Sequence, residues 1–175
     1  MTHKYAQIEL ERRWLLAKLP DSLQNSQDYQ LIEDRYITGT PLRLRRMTDA
    51  GGQVIARKLT QKYQADDQTA YATTITNFYL DEASYKLLET LPARLLVKKR
   101  YKLADGRFQF SIDHFSGPLT GLILAEIEPP DLHRRRQVPH PRLARREGCG
   151  DSCWTGGPQM QLDKKQGQQL LQDIN

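Results

Sequence analysis

Six stretches of this chain set ionisable or polar residues two apart, with apolar residues between several of them: Glu9, Glu11 and Arg13; Arg43 and Arg45; Lys58, Thr60 and Lys62; Lys98 and Arg100; Ser111 and Asp113; Glu126 and Glu128. Side chains alternate faces along a β-strand, so each set shares one side while Ile8 and Leu10, Leu42 and Leu44, or Phe110 and Ile112 share the other. Placed unpaired in a dry core, Arg43, Arg45, Lys98 and Arg100 would each cost several kcal/mol. A domain has only about 5–15 kcal/mol of net stability to lose. The charged faces therefore either point outward or converge on a wet, highly charged interior, which suits a small polyanion together with metal ions.

Strand-like segments run over residues 4–16, 28–38, 41–48, 53–63, 73–79, 95–103, 106–115 and 121–128. Asp49-Ala50-Gly51-Gly52 and Ala104-Asp105-Gly106 are hairpin turns, and such short links make the joined strands antiparallel. Asp81 can cap a helix containing Leu87, Leu88 and Leu91 that Pro92 brings to an end, and a second helix is expected over 163–173. Too little helix separates the strands for a βαβ pattern. The expected fold is mostly antiparallel β: an eight-stranded, tunnel-like barrel with a polar, charged interior and a few outer helices.

The 175 residues suffice for one domain. No run approaches the roughly 18 to 20 apolar residues of a membrane span, and the polar opening Thr2-His3-Lys4 is unlike a signal peptide, so the expected location is cytoplasmic. Cys149 and Cys153 are too close to close a useful loop. With His133 and His140 they match no compact zinc spacing. The net charge of +5 would suit phosphate-bearing partners in general. More than half of it, however, sits in 130–153, where six arginines face three acids.

The run Glu9-Leu10-Glu11-Arg12-Arg13 reads as Glu-x-Glu-x-Arg. It resembles the Glu-x-Glu-x-Lys signature of the CYTH superfamily, the triphosphate tunnel metalloenzymes, which includes inorganic triphosphatases, thiamine triphosphatases and class IV adenylate cyclases. Arg43-Leu44-Arg45, Lys58-Leu59-Thr60-Gln61-Lys62, Lys98-Lys99-Arg100, Asp113 and Glu126-Ile127-Glu128 match the later strand motifs in order, so the likeness covers residues 5–128. It implies an eight-stranded tunnel in which Glu9, Glu11, Asp113, Glu126 and Glu128 hold Mg2+ or Mn2+, hard cations suited to oxygen ligands. Arg13, Arg43, Arg45, Lys58, Lys62, Lys98 and Arg100 then grip the phosphates. Glu9, Glu11, Arg43 and Arg45 are the residues expected to carry catalysis.

The resemblance implies metal-dependent hydrolysis of a small triphosphate, with inorganic tripolyphosphate first because no pocket for an organic moiety is evident. Thiamine triphosphatase and adenylate cyclase are the alternatives within the superfamily, and a non-catalytic binder of polyphosphate or nucleic acid is the alternative outside it. Five inward carboxylates would repel such a binder's ligand unless a cation intervened, so a nucleic-acid partner is disfavoured. A monomer and a homodimer both remain open.

Two positions depart from the superfamily pattern. Arg13 stands where lysine is usual, exchanging a compact ammonium for a forked guanidinium. Ser111 stands where many relatives have a second carboxylate. Trp14, Tyr101 and His114 fall on the opposite strand face, which assigns the two aromatics to packing and leaves no histidine base inside.

The larger departure is the tail. Residues 129–175 form a divergent basic segment whose Arg, Pro, Gly and Cys content fits two origins, a shifted reading frame in GC-rich code or a variable basic arm. Translating the neighbouring frame of the gene across 129–153 separates them: a superfamily-like tail there establishes the frame shift, and its absence leaves the arm.

Overall fold

The computed structural model describes residues 4–63, 72–141 and 144–147. Within them the strands are β1 (Gln7–Leu10), β2 (Arg12–Leu16), β3 (Tyr29–Ile37), β4 (Leu42–Asp49) and β5 (Val54–Tyr63), followed by β6 (Ala72–Tyr79), β7 (Ala93–Asp105), β8 (Phe108–Phe115), β9 (Ile123–Ile127) and β10 (Ala144–Glu147). Helix α1 (Glu82–Glu89) lies between β6 and β7, and α2 (Leu132–Gln137) between β9 and β10. All ten strands join one sheet in the order β1-β6-β5-β4-β3-β7-β8-β9-β2-β10. Every pairing is antiparallel.

This is the expected antiparallel barrel with outer helices, nearly closed, but its strand count differs from eight in two ways. The segment expected as one strand over 4–16 is interrupted at Glu11. Its first half pairs with β6, Glu9 opposite Thr73, and its second half pairs with β9, Arg13 opposite Glu126. One short piece of chain thus links the edge strand at one end of the sheet to the last strand but one at the other, which brings the barrel towards closure. The tenth strand comes from the tail and pairs with β2, with an irregularity between Ala144 and Arg146. The helix expected over 163–173, and Cys149 and Cys153, lie outside the described residues.

Turn chemistry fixes the registers. Gly52 and Gly106 close the β4–β5 and β7–β8 hairpins at φ of 86° and 59°, where a side chain would be strained. Asp81 caps α1 by accepting from the Ser84 N–H, and the helix ends at Glu89, short of Pro92. Arg35 donates to the Glu89 carbonyl, tying the C-terminal end of α1 to β3.

The barrel has apolar packing on both faces. Outside, Trp14, Leu16, Tyr101, Phe110, Ile112, Ile123 and Ala125 pack with Leu23 and Val138 laid over them. Trp14 is fully buried and meets Phe110 edge-on at 5.7 Å, with the Arg12 guanidinium 4.7 Å from its ring. Trp14 and Tyr101 therefore pack as expected, though the segment around Leu23 and the residues just after α2 cover them rather than a long helix. Inside, at one end, the charged rows turn apolar: Leu15 follows Arg13, Phe115 follows Asp113, and Leu96 and Leu124 precede Lys98 and Glu126 by two. These join Leu119 and Leu122 in a second buried cluster, with Tyr36 against it.

Replacing the largest buried side chain, Trp14→Ala, is expected to lower the unfolding free energy by about 3–5 kcal/mol, read from chemical denaturation.

Candidate functional site

Strand parity brings most of the expected residues into the barrel. Arg13, Arg43, Arg45, Lys62, Lys98 and Arg100 face Glu9, Glu11, Asp113 and Glu126 across the interior, and all their ion pairs but Arg13–Glu11 run between strands. The Lys62 ammonium donates to Glu9, and Arg13 donates to Glu11 and, at 3.0 Å, to Glu126. Arg100 donates to both Asp113 oxygens at 2.6 Å each and also to Glu126. Lys98, buried beside the Phe115 ring, donates to Asp113 as well.

Two expected residues sit differently from the rest. Lys58 lies over the Tyr79 ring at 4.8 Å, at the exposed margin of the same strand face. Glu128 follows the end of β9 and is close enough to Glu9 and Glu126 to feel their charge. Ser111 accepts from Lys102 at 3.0 Å. The described histidines lie away from this cluster: His114 on the outer face of β8, His133 on the exposed α2, and His140 edge-on to Trp14.

Sequence reasoning did not single out Asp34, which is buried to 1% exposure at the centre of the network. Both of its oxygens accept from Arg45, at 2.6 and 2.7 Å, and the Arg43 Nε lies 3.6 Å away. Asp34 stands between Glu33 and Arg35, so three successive charges hide the alternation that marks the other strands. The available signal was register: the short link between β3 and β4 sets Asp34 opposite Arg45. Thr60, fully buried, was noted only as part of a polar face. Its hydroxyl accepts from Arg43 at 3.3 Å and donates to Asn77 at 2.7 Å.

Burial and charge pull the protonation equilibria apart. Burial alone would raise Asp34, but Arg45 and then Arg43 outweigh it and hold the carboxyl well below the usual aspartate range. Glu126 behaves alike, with Lys98, Arg100 and Arg13 opposing its burial, and Lys62 depresses Glu9 against the same penalty. Glu11 goes the other way. Its burial, helped by the like charges of Glu126 and Glu9, overcomes Arg13 and pushes it up to about 7. Glu128 is raised by burial and then by Glu9. Burial lowers Lys98 despite Asp113 and Glu126.

Whether these residues suit a divalent cation turns on their oxygens. Glu9, Glu11, Glu126 and Glu128 form an all-oxygen donor set of the kind hard cations take. The elevated Glu11 reflects its burial first and the like charges of Glu126 and Glu9 after it, and a cation beside it would offset both. The chemistry fits, but among the described residues no three acidic, histidine or cysteine groups are gathered into a ready cage. Glu9, Glu11 and Glu126 are turned to Lys62, Arg13 and Arg100 instead. Asp113 is committed furthest: fully buried, with both oxygens taken by Arg100 and Lys98.

No protein-family model matches the chain, and no curated protein does. Solved structures do. The inorganic triphosphatase NE1496 matches with a TM-score of 0.53 at 21% identity, over 84% of this chain and 90% of that one. A second structure of NE1496, there a hypothetical protein, gives 0.58 at 21% identity over 89% and 99%. A proposed adenylate cyclase of Bacillus halodurans gives 0.55 at 19% identity over 76% and 86%. What this chain shares with them is the fold. No helix among the described residues is long and apolar enough to cross a membrane.

Asp34→Ala should strand Arg45 as a buried, unpaired cation and cost about 3–5 kcal/mol. Because folding depresses the Asp34 pKa, its stabilisation is complete above the unfolded value of about 3.9 and is lost as pH falls below it. Asp34→Asn should therefore flatten the stability profile below about pH 4, measured by denaturation at a series of pH values.

Proposed function

We propose that the barrel interior binds a small triphosphate, inorganic tripolyphosphate in the first instance, and hydrolyses it to diphosphate and phosphate with Mg2+ or Mn2+. The observation that carries this reading is an interior holding both signs of charge in excess of what packing requires, with a strong inward donor, 3.6 Å from Asp34, still short of a hydrogen-bond acceptor. The Arg43 Nε is buried and makes no hydrogen bond. A buried guanidinium nitrogen without an acceptor is costly, and a phosphate oxygen would satisfy it. The shared fold of the inorganic triphosphatase NE1496 supports the reading, as do the ordered motifs that relate the chain to the CYTH superfamily.

In this mechanism Arg13, Arg43, Arg45, Lys62, Lys98 and Arg100 orient the phosphates, with Lys58 at the margin. Glu9, Glu11, Glu126 and Glu128 would hold the divalent ion, which supplies neutralisation of charge on the phosphates and activation of water. Asp113, first expected among the ligands, acts through Arg100 and Lys98, which it fixes. Phosphoanhydride hydrolysis needs little covalent help from protein, and positioning with charge stabilisation carries most of the acceleration. Binding requires the glutamates to exchange their arginine and lysine partners for the cation while those partners turn to phosphate.

The second reading is a binder without turnover. It is favoured by the same ion pairs, since among the described residues every inward carboxylate except Glu128 already has a cationic partner and no cage stands ready.

Phosphate release from tripolyphosphate with Mg2+ decides between the two. Turnover is expected for the wild type, and Glu9→Gln and Arg43→Ala should each abolish it while the protein stays folded. Tripolyphosphate at about a hundredfold over its Kd should add ~2.7 kcal/mol of stability, more with Mg2+ than without. Equal stabilisation with and without metal and no phosphate released would establish the binder.

A further inference from the structure

Arg43 and Arg45 leave the same strand two residues apart, yet the barrel anchors them unequally. Arg45 has its Nε and Nη2 edge committed to Asp34. Arg43 is held more loosely: its Nη2 donates to the Thr60 hydroxyl at 3.3 Å, its Nε lies 3.6 Å from Asp34 without a hydrogen bond, and Tyr36 on the facing strand is within its reach. Thr60 is in turn fixed by Asn77 on the next strand at 2.7 Å. The chain Asn77–Thr60–Arg43 runs across β6, β5 and β4, with Asp34 of β3 closing the far side. Four neighbouring strands thus converge on one guanidinium pair.

We propose that Thr60, with Asn77 behind it, is a positioning residue that aims Arg43, the arginine whose donors remain for the ligand, while Asp34 locks Arg45 beside it. The inference deepens the triphosphate reading and rests on it. A threonine hydroxyl is both acceptor and donor, so it can take the Arg43 N–H while its own proton goes to Asn77. Thr60 bears no charge, so removing its hydroxyl changes where Arg43 points and leaves the field of the site unaltered. A single phosphate can follow a guanidinium that has swung away. A linked triphosphate, pinned at several points, cannot.

The test is calorimetric titration with tripolyphosphate and, separately, with orthophosphate, on the wild type, Thr60→Val, Thr60→Ser and Asn77→Ala. Thr60→Val, close in shape, should weaken tripolyphosphate tenfold or more and change orthophosphate less than threefold. Thr60→Ser, which keeps the hydroxyl, should bind both within threefold of the wild type. Asn77→Ala, at an exposed position that a folded barrel tolerates, should weaken tripolyphosphate in the same direction by a smaller factor, and it carries the test if Thr60→Val does not fold. Tripolyphosphate binding left unchanged by Thr60→Val and Asn77→Ala would overturn the inference and leave the proposed function standing, as would equal losses for both anions. A wild type that binds no tripolyphosphate would remove the proposed function and this inference together.

Discussion

Everything in this barrel depends on answering charge with charge where water is scarce. Arg13, Arg45, Lys98 and Arg100 are carried inside the sheet, and a buried ion alone would cost more than a small domain can bear. Asp34 takes Arg45 in a two-pronged bond, Asp113 takes Arg100 and Lys98, and Glu126 takes Arg100 and Arg13. The outer face meets the ordinary demand for burial through Trp14, Phe110 and Ile112. Over most of the barrel the pleat therefore separates stability from chemistry, with apolar residues turned out under the covering loops and ionic residues turned in, except at the end where Leu15, Leu96, Phe115 and Leu124 fill the interior.

That separation decides what the sequence could reveal. Where charge and apolarity alternate cleanly, as in Arg43-Leu44-Arg45 or Phe110-Ser111-Ile112-Asp113, strand and face are both legible, and β4 and β8 lie where expected. Where neighbours on both faces are charged, period two disappears, and Asp34 was lost between Glu33 and Arg35. The outward pair explains the run: Glu33 and Arg46 bond to each other at 2.7 Å outside the barrel while Asp34 and Arg45 bond within it. The break at Glu11 had no local signal. It follows from the need of β1 and β2 to pair with strands at opposite ends of the sheet, β6 and β9, a condition set far away in the chain.

The tail shows the same limit of composition. An Arg-, Pro- and His-rich stretch reads as solvated, yet part of it is packed. Val138 is buried against the outer core, the His140 ring meets Trp14 at 6.4 Å, and Arg12 donates to the carbonyls of Arg135 and Val138. The last turn of α2 is thereby fastened by an arginine from the strand that also carries Arg13 inward. Charge counts are blind to an arginine that serves main-chain oxygens rather than a partner of opposite sign.

The seam where β2 meets β9 bears on how the chain finds this shape. Arg13 and Glu126 are 113 positions apart, and their strands are neighbours only once nearly all of β3 to β8 has been laid down. Loops that long are entropically expensive to close, and folds rich in distant pairings form slowly. During synthesis β2 must therefore wait for β9, with Arg13 still in water. The Arg13–Glu126 pair is thus made late, when the seam zips, whereas the Asp34–Arg45 and Asp113–Arg100 pairs lie within single hairpins and need no such wait.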